Sequence, residues 1–401
     1  MNIALLSEKY TPDIGGLAIS TERLARLLTS AGHNVRVFSP SSNLLPSEQR
    51  TLHSNGVRVS VTRFGAHKRV DDTLVDWFEL ITKEHKQESF DVVHAYFLTQ
   101  AGFVATYAGK YLNIPSVVSI RGNDIERAAF DPSRFSHTMY ALQNASAVTT
   151  NASELVKKTK AFVDREIFLI PNGIDSEHFK PMERNEGLAE ALNINHAPAT
   201  VSDGEDAASS NVPVIGFVGE LREKKGIAPI LSAYAQINKT HPASLLIVGE
   251  VRQGNDKRFF DEFRRANPQL SRSIPAGPIT LTGYISHNDL PSYYSLIDIF
   301  VHPSLRDGMP NAILEAMACE KAVVATSAGG VLDVVKDREN GSIVPANDAD
   351  ALSRAIIELM EDESLRNRLG KSARQKIIED FTLEKELAGN LDVYRQLGLI
   401  P

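Results

Sequence analysis

The chain has 401 residues, of which 42% are hydrophobic and 23% are charged. The composition is that of an ordinary globular protein, and the length favours two domains of comparable size over a single α/β core. The formal net charge of −7 disfavours nucleic acid as a partner, because nucleic-acid binding calls for a basic face. The single cysteine, Cys319, leaves no framework of internal disulfides and favours a reducing compartment.

The first ten residues, MNIALLSEKY, lack the basic and long apolar regions of a signal peptide, so they predict a first β-strand. No run of about 18 apolar residues occurs, and we expect no transmembrane helix. We therefore expect a cytoplasmic protein, with contact at the inner face of the membrane left open. Lys157, Lys158 and Lys160 share a predicted helix that could touch acidic lipid, although a solvated helix face is the more common meaning.

The first half of the chain alternates short apolar runs with helical patterns, which predicts a parallel sheet covered by helices on both faces. The predicted strands are Asn2–Leu6, Val35–Phe38, Val57–Val61, Val92–Ala95, Ser116–Ile120, Ala147–Thr150 and Ile167–Ile170. Between them, helices are predicted as far as Ser30, over Leu98–Leu112 and over Phe135–Asn144.

Residues 183–212 are polar and rich in Ala and Ser, which is typical of a linker or a mobile insertion. The alternation restarts after them and predicts a second parallel sheet. Its predicted strands are Val214–Val218, Leu245–Val248, Thr280–Thr282, Ile299–Val301, Ala322–Ala325 and Ser342–Val344.

We therefore predict an α/β protein with two doubly wound, Rossmann-like domains, residues 1–182 and 213–380. A last helix is predicted within residues 381–401, crossing back to the first domain. Doubly wound domains bind ligands at the carboxyl ends of their strands. We expect those ends to face a cleft between the domains.

Glycines follow several predicted strands. Gly15 and Gly16 precede the first helix, where a ligand could approach the backbone closely, although a plain turn would look the same. The segment matches neither GxGxxG nor GxxxxGK[ST], so it indicates neither a dinucleotide fingerprint nor a P-loop. Gly249, and the Tyr284 and Ile285 that follow another strand-end glycine, suit the approach of a flat nucleobase.

Polar residues follow two strands of the first half. Arg121, Asn123 and Asp124 come directly after one strand, and His94 lies in another. Asn123 or Asp124 could simply cap a helix, and a lone histidine is often a structural residue. The alternative is that all four line a ligand crevice.

The segment GELREKKG, residues 219–226, carries Arg222, Lys224 and Lys225 just before a predicted helix. A helix N-terminus already has positive character, so cations there are unfavourable unless an anion is bound. The segment therefore favours a phosphate site over a solvated run of charge.

Residues 302–319, HPSLRDGMPNAILEAMAC, place Asp307 and Glu315 around a helix N-terminus. Exposed backbone N–H groups can hold an anion there, and the carboxylates can accept hydrogen bonds from hydroxyls. A ligand with a diphosphate between two sugars needs both. Glu315 lies among apolar residues, where an unpaired carboxylate is costly. Ribose hydroxyls or a buried salt bridge would each remove that cost.

These segments together resemble glycosyltransferase family 4, whose members are retaining enzymes of the GT-B fold. The resemblance covers nearly the whole chain. It rests on the Gly15-Gly16 loop, on the Asp307-to-Glu315 acid pair followed by EAMACEKAVVAT, and on the segments AGHNVRVFSP (31–40), DVVHAY (91–96), PNGIDSEHF (171–179) and VGELREKKG (218–226).

The resemblance implies roles for single residues. Glu315 resembles the glutamate that binds the ribose, and Asp307 stands where the family usually has a glutamate facing the donor sugar. Lys225 matches the lysine that binds the diphosphate, and Gly16 matches a glycine beside the donor phosphates. The loop whose backbone contacts sugar and phosphate corresponds to Gly308, Met309, Pro310 and Asn311.

Two departures from the family pattern stand out. Glu220 occupies a position that often holds Arg, and Arg222 is the candidate replacement. Arg121 stands where many members have His, which points, with Asp124, to a different acceptor preference. Acceptor specificity is expected in loops 41–55, 64–75 and 121–135.

The resemblance implies transfer of a hexosyl unit from a nucleoside-diphosphate sugar to a hydroxyl of a glycan, glycolipid or small molecule, with retention of configuration. We expect a UDP-sugar in preference to a GDP-sugar, no further cofactor, and no metal, since Arg222, Lys225 and helix N-termini would stabilise the leaving phosphate. Two alternatives stay open: an epimerase of nucleotide sugars, and a catalytically inactive subunit that binds them. A glycosidase would also use two carboxylates but gives the basic loop no function.

Overall fold

The computed structural model describes residues 1–53, 59–122, 124–194, 212–271 and 279–401. The chain divides into two compact units. The first comprises Met1–Gly173 and Leu383–Pro401, and the second comprises Ile174–Thr382.

The strands of the first unit are β1 (Asn2–Leu6), β2 (Asn34–Ser41), β3 (Gln49–His53), β4 (Val59–Gly65), β5 (Val92–Ala95), β6 (Ser116–Ile120), β7 (Ala147–Thr150) and β8 (Phe168–Leu169). Those of the second are β9 (Val214–Val218), β10 (Ser244–Val248), β11 (Ile279–Leu281), β12 (Ile299–His302), β13 (Ala322–Thr326) and β14 (Ser342–Val344).

The helices of the first unit are α1 (Gly16–Ser30), α2 (Val70–Gln87), α3 (Gln100–Leu112), α4 (Asp124–Ala129), α5 (Pro132–Asn144), α6 (Ser153–Lys160) and α15 (Leu383–Gln396). Those of the second are α7 (Glu186–Ala191), α8 (Ile227–Ile237), α9 (Asn255–Ala266), α10 (Leu290–Ser295), α11 (Asn311–Ala318), α12 (Val331–Val334), α13 (Ala349–Glu361) and α14 (Glu363–Asp380).

In the described part of the first unit the strands form one eight-stranded sheet in the order β3-β4-β2-β1-β5-β6-β7-β8. Neighbouring strands are parallel except for the edge pair β3 and β4, which is antiparallel. Both faces of the sheet are covered, since Ile3 and Leu5 point into one apolar core and Ala4 and Leu6 into the other. The prediction of a doubly covered parallel sheet is confirmed.

The edge strand β3 was not predicted. Its sequence, QRTLH, has little apolar content, and Leu52 is exposed. The strand exists because its backbone pairs with β4, and an edge strand needs no continuous apolar run. Part of the predicted strand Val57–Val61 lies outside the described residues, and β4 extends to Gly65.

In the described second unit six parallel strands form a sheet in the order β11-β10-β9-β12-β13-β14. The unit begins earlier in the chain than the predicted boundary at residue 182, because Ile174 and Phe179 are buried in its core. The first part of residues 183–212, which were interpreted as a linker, contains helix α7 (Glu186–Ala191), whose Ala189 is buried. Its remainder, residues 195–211, lies outside the described residues.

The last helix, α15, belongs to the first unit. Val393 and Tyr394 are buried in the core formed with β1, β2 and β5. No helix in the described parts of the chain is long and apolar enough to cross a membrane.

Glu386 is the polar anchor of α15. Its buried carboxylate accepts hydrogen bonds from Arg23 Nε at 2.7 Å, from Arg121 at 3.3 Å and from the Gly173 backbone N–H at 2.9 Å. Burial by itself would raise the pKa of Glu386, but Arg23 and Arg121 hold that pKa below its ordinary value of 4.5. The carboxylate is therefore charged in the folded state.

We predict that Glu386→Gln lowers the free energy of unfolding by about 3 kcal/mol, because it leaves two buried guanidinium groups without their anion. Exposed Glu384 on the same helix is the matched control, and Glu384→Gln should change stability by less than about 0.5 kcal/mol. A group whose pKa is lowered on folding stabilises the protein above its unfolded pKa and loses that effect as the pH falls. The difference between wild type and Glu386→Gln in urea unfolding should therefore shrink below pH 4.5. If both substitutions lowered the free energy of unfolding equally, the Glu386 carboxylate would not anchor α15.

Candidate functional site

The basic and acidic segments of the second unit lie side by side. Strands β9 and β12 are neighbours in the sheet, so the loops after their carboxyl ends meet at one edge. The Leu305 backbone N–H donates to the carbonyl of Lys224 at 2.9 Å. Gly226 has φ +80°, and a Cβ there would lie 2.0 Å from the carbonyl oxygen of Pro303. Only glycine allows so close an approach of the two loops.

Asp307 is the centre of this contact. Its Oδ2 forms an ion pair with Lys225 Nζ and lies 3.1 Å from His302 Nε2. Its Oδ1 accepts the backbone N–H of Gly308 at 3.0 Å. Burial by itself would raise the pKa of Asp307, but Lys225 and His302 outweigh it and hold that pKa well below the usual range. Asp307 is therefore a carboxylate, positioned from both sides.

His302 was missed in the sequence because it ends an apolar strand, IFVH, and reads as a buried structural residue. Its side chain is 1% exposed. The signal that could have identified it is its position at the carboxyl end of a central strand, five residues before Asp307.

Glu315 lies in α11 with 4% of its surface exposed. Its Oε2 accepts the hydroxyl of Tyr294 at 2.9 Å, and its Oε1 lies 3.1 Å from His287 Nε2. Burial and the nearby Glu315 raise the pKa of Tyr294 well above its usual value, so the tyrosine stays a donor. These two partners remove the cost of burying the carboxylate. Each oxygen keeps a second lone pair for another donor.

Arg222 pairs with Glu220, the residue that departs from the family pattern, at 3.1 Å. Both side chains are partly exposed. The loop is held in turn by Asp256, whose Oδ1 accepts the Glu223 backbone N–H at 2.8 Å. Arg222 therefore lies on the same ordered loop as Lys225.

The remaining candidates of the second unit also lie near the carboxyl edge of its sheet. Gly249 has φ +142°, and a Cβ there would lie 2.2 Å from the carbonyl of Gly219. Tyr284 is exposed and Ile285 packs against the core. In the loop before α11 the Met309 side chain is buried. The Gly308 carbonyl accepts the Gly330 N–H at 2.8 Å, and Pro310 precedes Asn311, the first residue of the helix.

In the first unit, Gly15 precedes α1 and Gly16 is its first residue, and a Cβ at either would meet no atom within 4 Å. Asp124 begins α4 and is 2% exposed. It accepts the N–H groups of Leu98 and Gly122 at 3.1 and 3.0 Å, and burial raises its pKa to about 6. The Asp124 carboxylate therefore joins two backbone segments. This role resembles that of a helix cap, the alternative considered for Asp124 in the sequence.

Arg121 is largely buried, and its guanidinium lies 4.3 Å from the ring centre of Tyr96. Its Nη2 donates a hydrogen bond to Asn172 Oδ1 at 2.6 Å and forms an ion pair with Glu386. Asn123 lies outside the described residues. His94 lies in β5. It is fully buried, and its two ring nitrogens lie 2.7 Å from Tyr394 Oη and 2.8 Å from Ser119 Oγ. Burial lowers the pKa of His94 to about 3, so its ring is neutral.

Cys319 is buried, as its apolar helix indicates. Burial raises the pKa of its thiol to about 12. The residue is therefore protonated and unsuited to act as a nucleophile.

Comparisons with known proteins agree with this architecture. The family model described as "Glycosyltransferase Family 4" matches residues 14–178, and that described as "Glycosyl transferases group 1" matches residues 202–376. Two curated relatives are an uncharacterized glycosyltransferase of Methanocaldococcus jannaschii, 25% identical over 98% of both chains, and an Escherichia coli UDP-Gal:alpha-D-GlcNAc-diphosphoundecaprenol alpha-1,3-galactosyltransferase, 26% identical over 80% of this chain and 78% of the relative.

Among solved structures, sucrose-phosphate synthase from Thermosynechococcus elongatus superposes with a TM-score of 0.78 and 23% identity, covering 99% of each chain. This likeness shows the fold. The two family models together span most of the sequence, and the chain belongs to glycosyltransferase family 4 (glycosyl transferases group 1) of the GT-B fold.

Proposed function

We propose that the protein transfers a hexosyl unit from a nucleoside-diphosphate sugar to an acceptor hydroxyl, with retention of the anomeric configuration. The observation that carries this proposal is the contact of Lys225 with Asp307 beside the start of α11, which also holds the buried Glu315. A cation, a carboxylate and a helix N-terminus within one loop pair suit a diphosphate between two sugars.

In the proposed donor site, Glu315 binds the ribose hydroxyls, and Lys225 and Arg222 bind the diphosphate. Asp307 faces the transferred sugar, and the backbone from Gly308 to Asn311 contacts sugar and phosphate. Gly249, Tyr284 and Ile285 border the base, and Gly15 and Gly16 approach the phosphates. On the acceptor side the proposal keeps His94, Arg121, Asn123 and Asp124.

Chemistry in this site begins with cleavage of the bond between the anomeric carbon and the phosphate oxygen. The bonding electrons pass to the β-phosphate, and positive charge develops on the sugar ring. Lys225 and Arg222 stabilise the phosphate as its charge grows. The departing phosphate oxygen takes the proton of the acceptor hydroxyl, which attacks from the same face and so preserves the configuration. Asp307, held as an anion, stabilises the cationic ring.

The Escherichia coli relative uses UDP-Gal, and this supports a UDP-sugar donor here. Its acceptor is alpha-D-GlcNAc-diphosphoundecaprenol, which keeps a glycolipid among the acceptor classes. A cytoplasmic location with contact to the inner membrane face belongs to the same proposal.

The first test is a thermal-shift panel of UDP-, GDP- and ADP-sugars, since a ligand that binds the folded state raises the Tm by mass action. The donor that stabilises the protein is then incubated with candidate acceptors. Release of nucleoside diphosphate and a product whose anomeric configuration by NMR equals that of the donor are the expected results. Isomerised nucleotide sugar formed without acceptor would instead indicate an epimerase. Stabilisation without any release of nucleoside diphosphate would indicate an inactive binding subunit.

A further inference from the structure

The second unit contains a histidine, His302, that no role in the proposed donor site uses. It ends β12, a central strand of the sheet, and its side chain is 1% exposed. Nε2 lies 3.1 Å from Asp307 Oδ2 and 3.0 Å from Ser304 Oγ. Nδ1 is buried and has no hydrogen-bond partner among the described residues.

We propose that His302 is a positioning residue for Asp307, which it holds by donating a hydrogen bond from a neutral, Nε2-protonated imidazole. The proposal rests on the proposed function, because it gives Asp307 a part in sugar transfer. It assigns to His302 no contact with the substrate.

The geometry favours this tautomer over the alternative. With the proton on Nδ1, the lone pair of Nε2 would face the carboxylate oxygen at 3.1 Å, and a buried N–H donor would have no acceptor. With the proton on Nε2, the carboxylate gains a donor, the oxygen of Ser304 lies 3.0 Å from the same nitrogen as a second acceptor, and the lone pair of Nδ1 lacks a partner among the described residues. A buried donor without an acceptor is the rarer arrangement in proteins.

The surroundings also keep the imidazole neutral. Burial lowers the pKa of His302, and the positive charge of Lys225 lowers it further, although Asp307 acts in the opposite direction. A neutral donor adds no charge to the site.

The hydrogen bond from His302 to Asp307 matters because Lys225 interacts with two anions in the proposed complex. Its ammonium contacts Asp307, and in the proposed donor complex it also binds the diphosphate. When the ammonium is shared with phosphate, its hold on Asp307 weakens. His302 then keeps the carboxylate ionised and in place beside the sugar. In the described chain, Lys225 and His302 are the titratable groups that contact Asp307.

The first test does not depend on turnover. NMR of protein with ¹⁵N-labelled histidine rings reports the tautomer of each of the 11 histidines, and the His302 signal is identified by its loss in His302→Gln. We expect a neutral ring with hydrogen on Nε2 that does not titrate between about pH 5 and 8. A ring protonated on Nδ1, or one that titrates near the usual histidine pKa, would overturn the proposal.

The second test uses two variants of similar size. His302→Gln places an amide N–H close to the position of Nε2, whereas His302→Leu removes the donor. We expect His302→Leu to lower kcat about tenfold or more, the effect of losing one hydrogen bond to a charged group, with little change in the donor KM. In the pH profile of kcat for His302→Leu, the acid limb, where kcat falls as the pH is lowered, should move to higher pH. Asp307 loses a donor that stabilises its anion, so its pKa rises.

His302→Gln should restore most of kcat and return the acid limb to its wild-type position. Equal losses in both variants, or wild-type kinetics in His302→Leu, would reject a positioning role. If the wild-type protein transfers no sugar, the proposed function fails, and the tautomer measurement alone then decides whether His302 holds Asp307.

Discussion

Lys225→Ala is expected to lower kcat by at least about 100-fold, by analogy with the loss of one preorganised donor to a developing anion. Lys225 is the side-chain cation in contact with Asp307, and in the proposed mechanism it neutralises the leaving diphosphate. The substitution removes both interactions at once. Steady-state release of nucleoside diphosphate measures the effect.

Lys376→Ala is the matched control for Lys225→Ala. Lys376 also forms an ion pair with an aspartate of the second unit, Asp380, but both residues lie on the solvent-exposed side of α14. An exposed pair of this kind contributes about 0–1 kcal/mol, so kcat should stay within about twofold of wild type. Urea unfolding of both variants separates a loss of catalysis from a loss of folded protein. Near wild-type kcat in Lys225→Ala would refute the phosphate assignment.

Glu315→Ala is expected to raise the Kd of the nucleoside diphosphate by about 10- to 100-fold, the range for hydrogen bonds to a charged group. The carboxylate is already fixed by Tyr294 and His287, so little ordering is required when ribose hydroxyls bind. Isothermal titration calorimetry measures the change.

A ligand change provides the control for Glu315. The wild type should bind the 2′-deoxy nucleotide more weakly than the ribonucleotide, whereas Glu315→Ala should bind the two alike, because the partner of the hydroxyl is then missing. Such a cycle isolates the contact between the two groups. If Glu315→Ala still prefers the ribonucleotide as strongly as the wild type does, Glu315 does not bind the ribose.

Several elements could be predicted because their signals are local. The apolar runs of β1, β9 and β12 are buried strands of the two sheets. The basic loop and the acid pair were identified for a similar reason, since both directly follow such strands. Parallel strands bring their carboxyl ends to one edge, and the contact of Lys225 with Asp307 follows from that rule.

Other features depend on contacts between distant parts of the chain. His94 forms a hydrogen bond with Tyr394, which lies 300 residues further along, so this contact has no local signal in the sequence. The partners of Glu315 come from residues 21 and 28 positions earlier in the sequence. β3 and α7 were missed because they have only five and six residues, and segments this short depend on tertiary contacts more than on their own sequence pattern.

The measurement that tests the donor site most directly is the affinity of the wild type and of Lys225→Ala for a nucleoside diphosphate and the matching monophosphate. Calorimetry with UDP and UMP, repeated with the guanosine and adenosine pairs, needs no acceptor. We predict that one diphosphate binds the wild type at least about tenfold more tightly than its monophosphate, a preference worth about 1.4 kcal/mol, and that Lys225→Ala loses this preference. Binding of none of the three diphosphates, or equal affinity for UDP and UMP and for the other pairs, would contradict a nucleoside-diphosphate site at Lys225 and Asp307.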